Sequence, residues 1–394
     1  MRGLKDVRVV EHTGGVSVAY CAKLFVDAGA EVIKLEPPEG DPLRRWSSTG
    51  GDLGSEDGAF FRFLHAGKRS VVGALPDEPE LIAGADLVIE NLPPGAYDRQ
   101  ALLERHPGLV LVSITPFGLT GPLAGRPATD FTIQAEAGSL GCRRRPDADP
   151  YQAGGGLSGW TGGSFAAVAA LAAVRRAQAT GHGEHVDLSL QAGTALVTNS
   201  YLDQMWSIIG RPPAIGALPN IETPSIEPTR DGFVGFTTYS AQQLSDFLLM
   251  IGRPDLRESG EFSQFVQRLT RIDEWEEVVH AFTRQHTTAE LIELAQAFRI
   301  PVAPLCNGAT VLEQEQLRAR GAFVEDPSGG FKRPAAPYRI DVRVPELPSA
   351  APRLGQHAGT IEARSPRRPA PQGPSRLPLE GLRIIDATLW WAGP

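Results

Sequence analysis

Short apolar runs, continuous rather than alternating, set the character of the first third of the chain. Val7-Arg8-Val9-Val10, Glu31-Val32-Ile33-Lys34-Leu35-Glu36, Ala85-Asp86-Leu87-Val88-Ile89-Glu90 and Gly108-Leu109-Val110-Leu111-Val112-Ser113-Ile114 are rich in β-branched side chains. A strand covered on both faces carries apolar residues at successive positions, so these runs predict a parallel sheet sandwiched by helices. Between the first two, Gly14-Gly15 turns the chain into Val18-Ala19-Tyr20-Cys21-Ala22-Lys23-Leu24-Phe25, which is apolar at helical spacing, and Gly29 closes that helix. Pro37-Pro38 stops the second strand. Strand, glycine turn, helix, strand is the grammar of an α/β protein.

Further on, Gly162-Gly163-Ser164 opens the Ala-rich run Phe165–Val174, a helix whose small residues suit a central, closely packed position. After about Ile208 the pattern changes. Gly232–Thr237 reads as a lone strand, followed by amphipathic helices around Ala241–Ile251, Trp275–Arg284 and Ala289–Phe298. The expected division is a large α/β domain over 1–214, a smaller helix-rich domain over 215–320 and a return to the large domain over 321–363. Arg364–Pro378 has too few apolar residues to fold and reads as a linker.

Beyond that linker the chain repeats its own start. Leu379-Glu380-Gly381-Leu382-Arg383-Ile384-Ile385-Asp386-Ala387-Thr388 lies over Leu4-Lys5-Asp6-Val7-Arg8-Val9-Val10-Glu11-His12-Thr13. Both segments read as a strand bounded by an acid and a Thr. Residues 379–394 are therefore expected to begin a second repeat, as a strand without its helix that leaves Trp390 and Trp391 exposed.

Composition narrows the classes. The 394 residues are 42% apolar and 21% charged, as in a soluble globular protein, and the formal net charge of -8 argues against nucleic acid as the main partner. Cys21, Cys142 and Cys306 lack metal-ligand spacing and point to reduced thiols, with no zinc site. No signal-like N-terminus and no long uninterrupted apolar run is evident, so the expected location is cytoplasmic.

Five segments in order resemble the class III CoA-transferases of CaiB/BaiF type, which include formyl-CoA transferase, carnitine CoA-transferase and α-methylacyl-CoA racemase. They are Asp27–Pro38 with Gly40-Asp41-Pro42, Ala66–Val71, Ala85–Gly95, Ser113–Pro122 and Thr180–Ser189. Ile251–Leu256 and Leu317–Phe323 also look like the family's C-terminal half. The resemblance implies a Rossmann-like parallel-sheet domain with a smaller helix-rich domain, and CoA or acyl-CoA as a substrate rather than a tightly bound cofactor. Its partner would be a carboxylic acid acceptor, and the assembly an interlocked homodimer or a pairing with a second repeat.

A CoA site needs cations and free backbone donors, since the ligand carries a 3′-phosphate and a pyrophosphate. Lys34, Arg44, Arg45, Lys68 and Arg69 gather near the first glycine turn. By resemblance, Gly15, Val16, Ser17, Lys34, Arg44, Lys68, Asn91 and Pro94 fall where the family grips CoA, although Pro93 stands where the family usually has Arg or His.

The catalytic position departs further. The family's transferases attack the thioester with an Asp just before the Ala-rich helix, and that slot is Gly159 here. The racemases' His is replaced by Thr129, and Asp130 beside it reads as the N-cap of a helix from Phe131. His182 and His185 lack metal-ligand partners, Ser158 and Ser164 have no adjacent His and Asp, and Gly154-Gly155-Gly156 lacks P-loop spacing. Three functions stay open: an acyl-CoA:carboxylate transferase whose active Asp lies in a second repeat, a non-catalytic half that completes a paired fold, and an acyl-CoA isomerase using other residues.

Overall fold

The computed structural model describes residues 3–75, 77–140, 149–198, 224–238, 240–339, 348–365 and 377–387. The chain divides into two compact units, one of residues 1–140, 152–211 and 321–394, the other of residues 141–151 and 212–320. In the first, strands β1 (Arg8–His12), β2 (Glu31–Glu36), β3 (Arg69–Val72), β4 (Leu87–Glu90), β5 (Val110–Thr115) and β6 (His185–Ser189) alternate with helices. These are α1 (Val16–Asp27), α2 (Ala59–Leu64), α3 (Pro79–Ala83), α4 (Arg99–Arg105), α5 (Asp130–Glu136) and α6 (Leu157–Thr180). Residues 190–198 are also helical.

All six strands are parallel, in the order β3-β2-β1-β4-β5-β6. The expected α/β architecture is present. Val9 pairs with Val32 on one side and Leu87 on the other. Its side chain joins Leu87, Ile89, Val110 and Val112 beneath α1 and α6, whereas Val10 joins Leu35, Val88 and Leu111 beneath α3 and α4. Each strand thus buries both faces, which is why the apolar runs are continuous. The chain leaves β1 toward β2 and β3, then returns to its other side with β4. At such a reversal the loops after neighbouring strands part and leave a crevice at the carboxyl edge.

The long helix starts earlier than its glycines suggest. It begins at Leu157, with Gly156 in the left-handed conformation as its N-cap, so Gly159, Gly162 and Gly163 lie inside it. Close packing explains them. A Cβ on Gly163 would lie 2.7 Å from the Ser17 carbonyl oxygen, and one on Gly162 would collide with Leu190. Ala166, Ala170, Ala173 and Ala177 continue the buried face. Length and composition alone would let α6 cross a membrane, but this face belongs to the core with α1 and the sheet.

In the second unit, Phe233–Phe236 (β8) is not a lone strand. It pairs antiparallel with β7 (Ile226–Pro228) and β9 (Val302–Pro304). The helices Ala241–Met250, Ile272–Thr283 and Thr288–Ala297 fall where the periodicity predicts them, around a core containing Phe236, Phe247, Phe262 and Trp275.

The chain then rejoins the first unit through the hairpin β10 (Phe323–Glu325) and β11 (Lys332–Pro334). Residues 348–365 run beside β3, where Gly355 N donates to Ser70 Oγ and His357 N to Ser70 O, each at 2.9 Å. Arg364, the first residue of the expected linker, is docked on Asp86 at 2.9 Å, and 366–376 lie outside the described residues. Leu379–Ala387 is a turn followed by extended backbone, not a buried strand, and Ile385 is 92% exposed. A strand needs a ladder partner, and the place between β2 and β4 is already taken by β1. Trp390 and Trp391 lie outside the described residues.

An exposed helical Gly→Ala change normally stabilises by up to about 1 kcal/mol. Gly163→Ala should instead destabilise by roughly 1–3 kcal/mol, because backbone atoms of α1 stand in the way. Gly193→Ala is the control, since its Cβ would only touch the Phe165 ring at 3.4 Å. Thermal unfolding of both variants decides. Equal midpoints would contradict the close-packing account.

Candidate functional site

The crevice between β1 and β4 is built from a strained turn. Thr13 takes φ +73 and Gly15 φ +98, so the chain leaves β1 in the left-handed region before α1 begins. The α1 N-terminus has no side-chain cap. Among the described residues no side chain accepts from the amides of its first turn, where the helix dipole favours an anion, and α6 lies over the Ser17 end of that turn at Gly159. A cavity of about 260 Å³ lies at the same edge, lined by His12, Thr13, Gly14, Lys34, Pro37, Asp41, Pro42, Gly73 and Ala74.

Three of the cations gathered here by the sequence, Lys34, Arg44 and Lys68, are buried and paired within the protein. Lys34 is fully buried, and its ammonium faces Glu11 at 3.0 Å, Asp41 at 2.7 Å and the Thr13 carbonyl at 3.0 Å. Lys68 meets Glu11 at 2.5 Å, the Ala19 carbonyl at 2.9 Å and His65 Nδ1 at 3.2 Å. An ammonium has three N–H donors, and each of these lysines has three acceptors around it. Arg44 is likewise spent, on Glu36, Asp57 and the Pro352 carbonyl. Arg45 and Arg69 remain at the surface, held by loop carbonyls and by Glu31.

Burial works against every charge in this cluster. It raises Glu11, but Lys34 and Lys68 together hold that carboxyl below its ordinary value. It opposes Lys34, yet Glu11 and Asp41 raise that ammonium overall. Lys68 shares a single carboxylate, and burial pushes it down to about 8. Burial also lowers His65 well below 6.5 and His12 to about 4, so both rings are neutral near pH 7.

Asn91, at the end of β4, turns its side chain onto the loop after β1. Its Nδ2 donates to the Gly14 carbonyl at 2.7 Å, and its Oδ1 accepts from the Thr13 hydroxyl. Pro94 is exposed beside Gly125. A network absent from the sequence reading lies next to it. Glu90 accepts from Arg99 at 3.0 Å and from Ser113, whose oxygen also meets His185 Nε2 at 2.9 Å. Arg99 in turn holds the Leu92 carbonyl at 2.8 Å. The only sequence signal was an acid ending a buried strand.

Gly159 sits in the first turn of α6, over the start of α1. A Cβ there would lie 2.8 Å from Val16 Cβ. The neighbouring acid has a different role from the one expected. Thr129, not Asp130, caps α5, while Asp130 Oδ1 accepts from Ser158 N at 2.9 Å and so caps α6. Gln134 completes this junction, bonding Asp130 and both backbone groups of Ala153. Tyr20, Phe60 and Phe63 ring Trp160 at centroid distances of 4.6, 5.7 and 6.3 Å. Among the described residues no group of His, Cys, Asp and Glu could hold a metal ion.

The two neutral histidines set the acid response. Between pH 6.5 and about 4 the unfolded chain takes up a proton at His12 that the folded chain refuses. The His12 contribution is therefore complete above pH 6.5 and is lost as pH falls through that window. His12→Gln should remove up to one proton from the slope of stability against pH there, about 1.4 kcal/mol per unit. Denaturant unfolding at several pH values measures it, and an unchanged slope would refute the assignment.

The chain is 29% identical over 388 residues to succinate–glutarate CoA-transferase of Agrobacterium fabrum, covering 91% of this chain and 95% of that one. It is 28% identical to the probable CoA-transferase Rv1866 of Mycobacterium tuberculosis, where 94% of this chain covers 49% of the relative. A crystal structure of a CAIB/BAIF family protein from Brucella suis superposes with a TM-score of 0.76 at 26% identity, covering 89% of this chain and 96% of that one. The profile of CoA-transferase family III matches residues 4–358. With that span and that fold, the chain belongs to CoA-transferase family III.

Proposed function

We propose that this chain binds CoA or acyl-CoA within an acyl-CoA:carboxylate CoA-transferase, and that it does not itself carry the covalent acyl step. The observation behind this is Gly159. In the family's chemistry a carboxylate oxygen attacks the thioester carbonyl, CoA leaves as thiolate, and the acyl group stays on the enzyme as an anhydride. Glycine offers no oxygen, and Val16 fills the direction in which a side chain would point. Asp130 is committed to capping α6.

The CoA reading rests on the edge of the sheet. The backbone of Gly15, Val16 and Ser17 provides the amides for a pyrophosphate, and the cavity beside them receives the nucleotide end. Succinate and glutarate, the acids in the name of the Agrobacterium relative, indicate the class of acceptor, a small carboxylic acid. The racemase alternative loses support, since Thr129 is engaged as a helix cap.

A pairing supplies the missing carboxylate in this reading. Phe165, Val168, Leu171, Leu196 and Val197 leave an apolar face exposed on α6 and residues 190–198, with Val168 71% accessible. That favours association with a second copy of the fold, and because a homodimer would carry Gly159 twice, the carboxylate in this reading comes from a second repeat beginning near Leu379. The half-length match to Rv1866 supports the tandem form. An acyl-CoA substrate supports a cytoplasmic location in this reading. The rival reading, a half that only completes the paired fold, draws on the burial of Lys34, Lys68 and Arg44.

Calorimetric titration with CoA tests the binding claim. Binding should be measurable at millimolar ligand and weaken with salt, as charges at the edge are screened over about 10 Å near 0.1 M. Absence of heat and of any thermal shift leaves only the structural-half reading. Incubation with acyl-CoA followed by hydroxylamine tests the chemistry. No adduct should form on this chain, and Gly159→Asp alone should lower stability by roughly 1–3 kcal/mol through its contact with Val16. A trapped adduct mapped to any residue of the unmodified chain would overturn the proposal.

A further inference from the structure

Thr13 is a β-branched residue in a conformation that favours glycine. Such a backbone persists only where its surroundings over-determine it. Lys34 Nζ donates to the Thr13 carbonyl at 3.0 Å. Asn91 N donates to Thr13 Oγ at 3.2 Å, and the Asn91 amide closes over the turn through Thr13 Oγ and the Gly14 carbonyl. Asp41, ion-paired to Lys34, lies against Gly14, where a Cβ would meet its carboxylate oxygens at 3.2 Å.

We propose that Asn91 and Lys34 are positioning residues: they hold the Thr13–Gly15 backbone in its left-handed bend, which aims the uncapped amides of α1 into the crevice, and neither grips the ligand's phosphates. The side-chain atoms of Asn91 are both used by the turn, and the Lys34 ammonium is taken up by hydrogen bonds to Glu11 and the Thr13 carbonyl and by its ion pair with Asp41. The cost of binding is thereby met before the ligand arrives, because the turn is already in its bound shape. This inference rests on the CoA-binding reading for its ligand but not for its geometry.

Glycine visits the left-handed region freely, so Thr13→Gly separates positioning from contact. CoA titration of the full chain should show Asn91→Ala weakening affinity by about tenfold, the scale of a lost buried hydrogen bond. The double variant Thr13→Gly/Asn91→Ala should recover most of that loss relative to Thr13→Gly. Lys34→Met should follow the same pattern if it folds, which thermal unfolding checks. A direct contact could not be rescued in this way, so additive losses would overturn the proposal. Should the unmodified chain fail to bind CoA, the functional reading falls, and hydrogen exchange still decides this one. Peptides covering Thr13–Val18 should exchange faster in Asn91→Ala while the rest of the sheet does not. Unchanged exchange there would refute positioning.

Discussion

One buried carboxylate organises the ligand edge of this protein. Glu11, at the end of the central strand β1, bridges Lys34 of β2 and Lys68 ahead of β3. Taking such charges out of water is costly, and the mutual attraction offsets the cost only when every donor finds an acceptor. Here the two ammonium groups find theirs, through Glu11, the carbonyls of Thr13 and Ala19 and the ring of His65, while His65 Nε2 is left without a hydrogen-bond partner. Removing one partner of such a cluster typically costs 3–5 kcal/mol, because the others remain buried and uncompensated. The network ties β1, β2, the loop before β3, the glycine turn and α1 into a single block. A second carboxylate, Glu36, extends it through Arg44 and Ser70 to the segment around residue 352.

The same block constrains what α6 can carry. With the start of α1 fixed by the turn, Val16 and Ser17 define how near α6 can come. Glycine at 159 and 163 lets it come very near. Position 159 is thereby a packing position, and the space a side chain there would need is occupied by Val16. The junction beside it is also closed, since Asp130 and Gln134 anchor the loop leading into α6.

Much of the architecture was legible in the sequence, for a physical reason. Strands buried on both faces write continuous apolar runs, and Glu31–Glu36 matches its prediction residue for residue. β3 was harder to see. It is a short edge strand, Arg69–Val72, half of it facing water, and so carries no such run. The start of α6 was hidden because glycine reads as a helix breaker until the neighbouring helix is known to press against it. The small sheet containing Phe233–Phe236 was missed because its partners are only three residues long, and one of them, β9, is far away in sequence. At the site, residue type indicated charge but not partner. Lys34, Arg44 and Lys68 are gathered in one buried region, yet the acids that hold them come from separate segments.

The central claim is that backbone amides of a pre-bent turn, and not the buried lysines, receive the ligand at this edge. A crystal structure of the chain with CoA bound tests it most directly. The account predicts the pyrophosphate against the amides of Val16 and Ser17, with Thr13 still left-handed and Lys34 and Lys68 still paired to Glu11. Phosphate oxygens on Lys34 or Lys68 with Glu11 displaced, or CoA bound away from this edge, would contradict it.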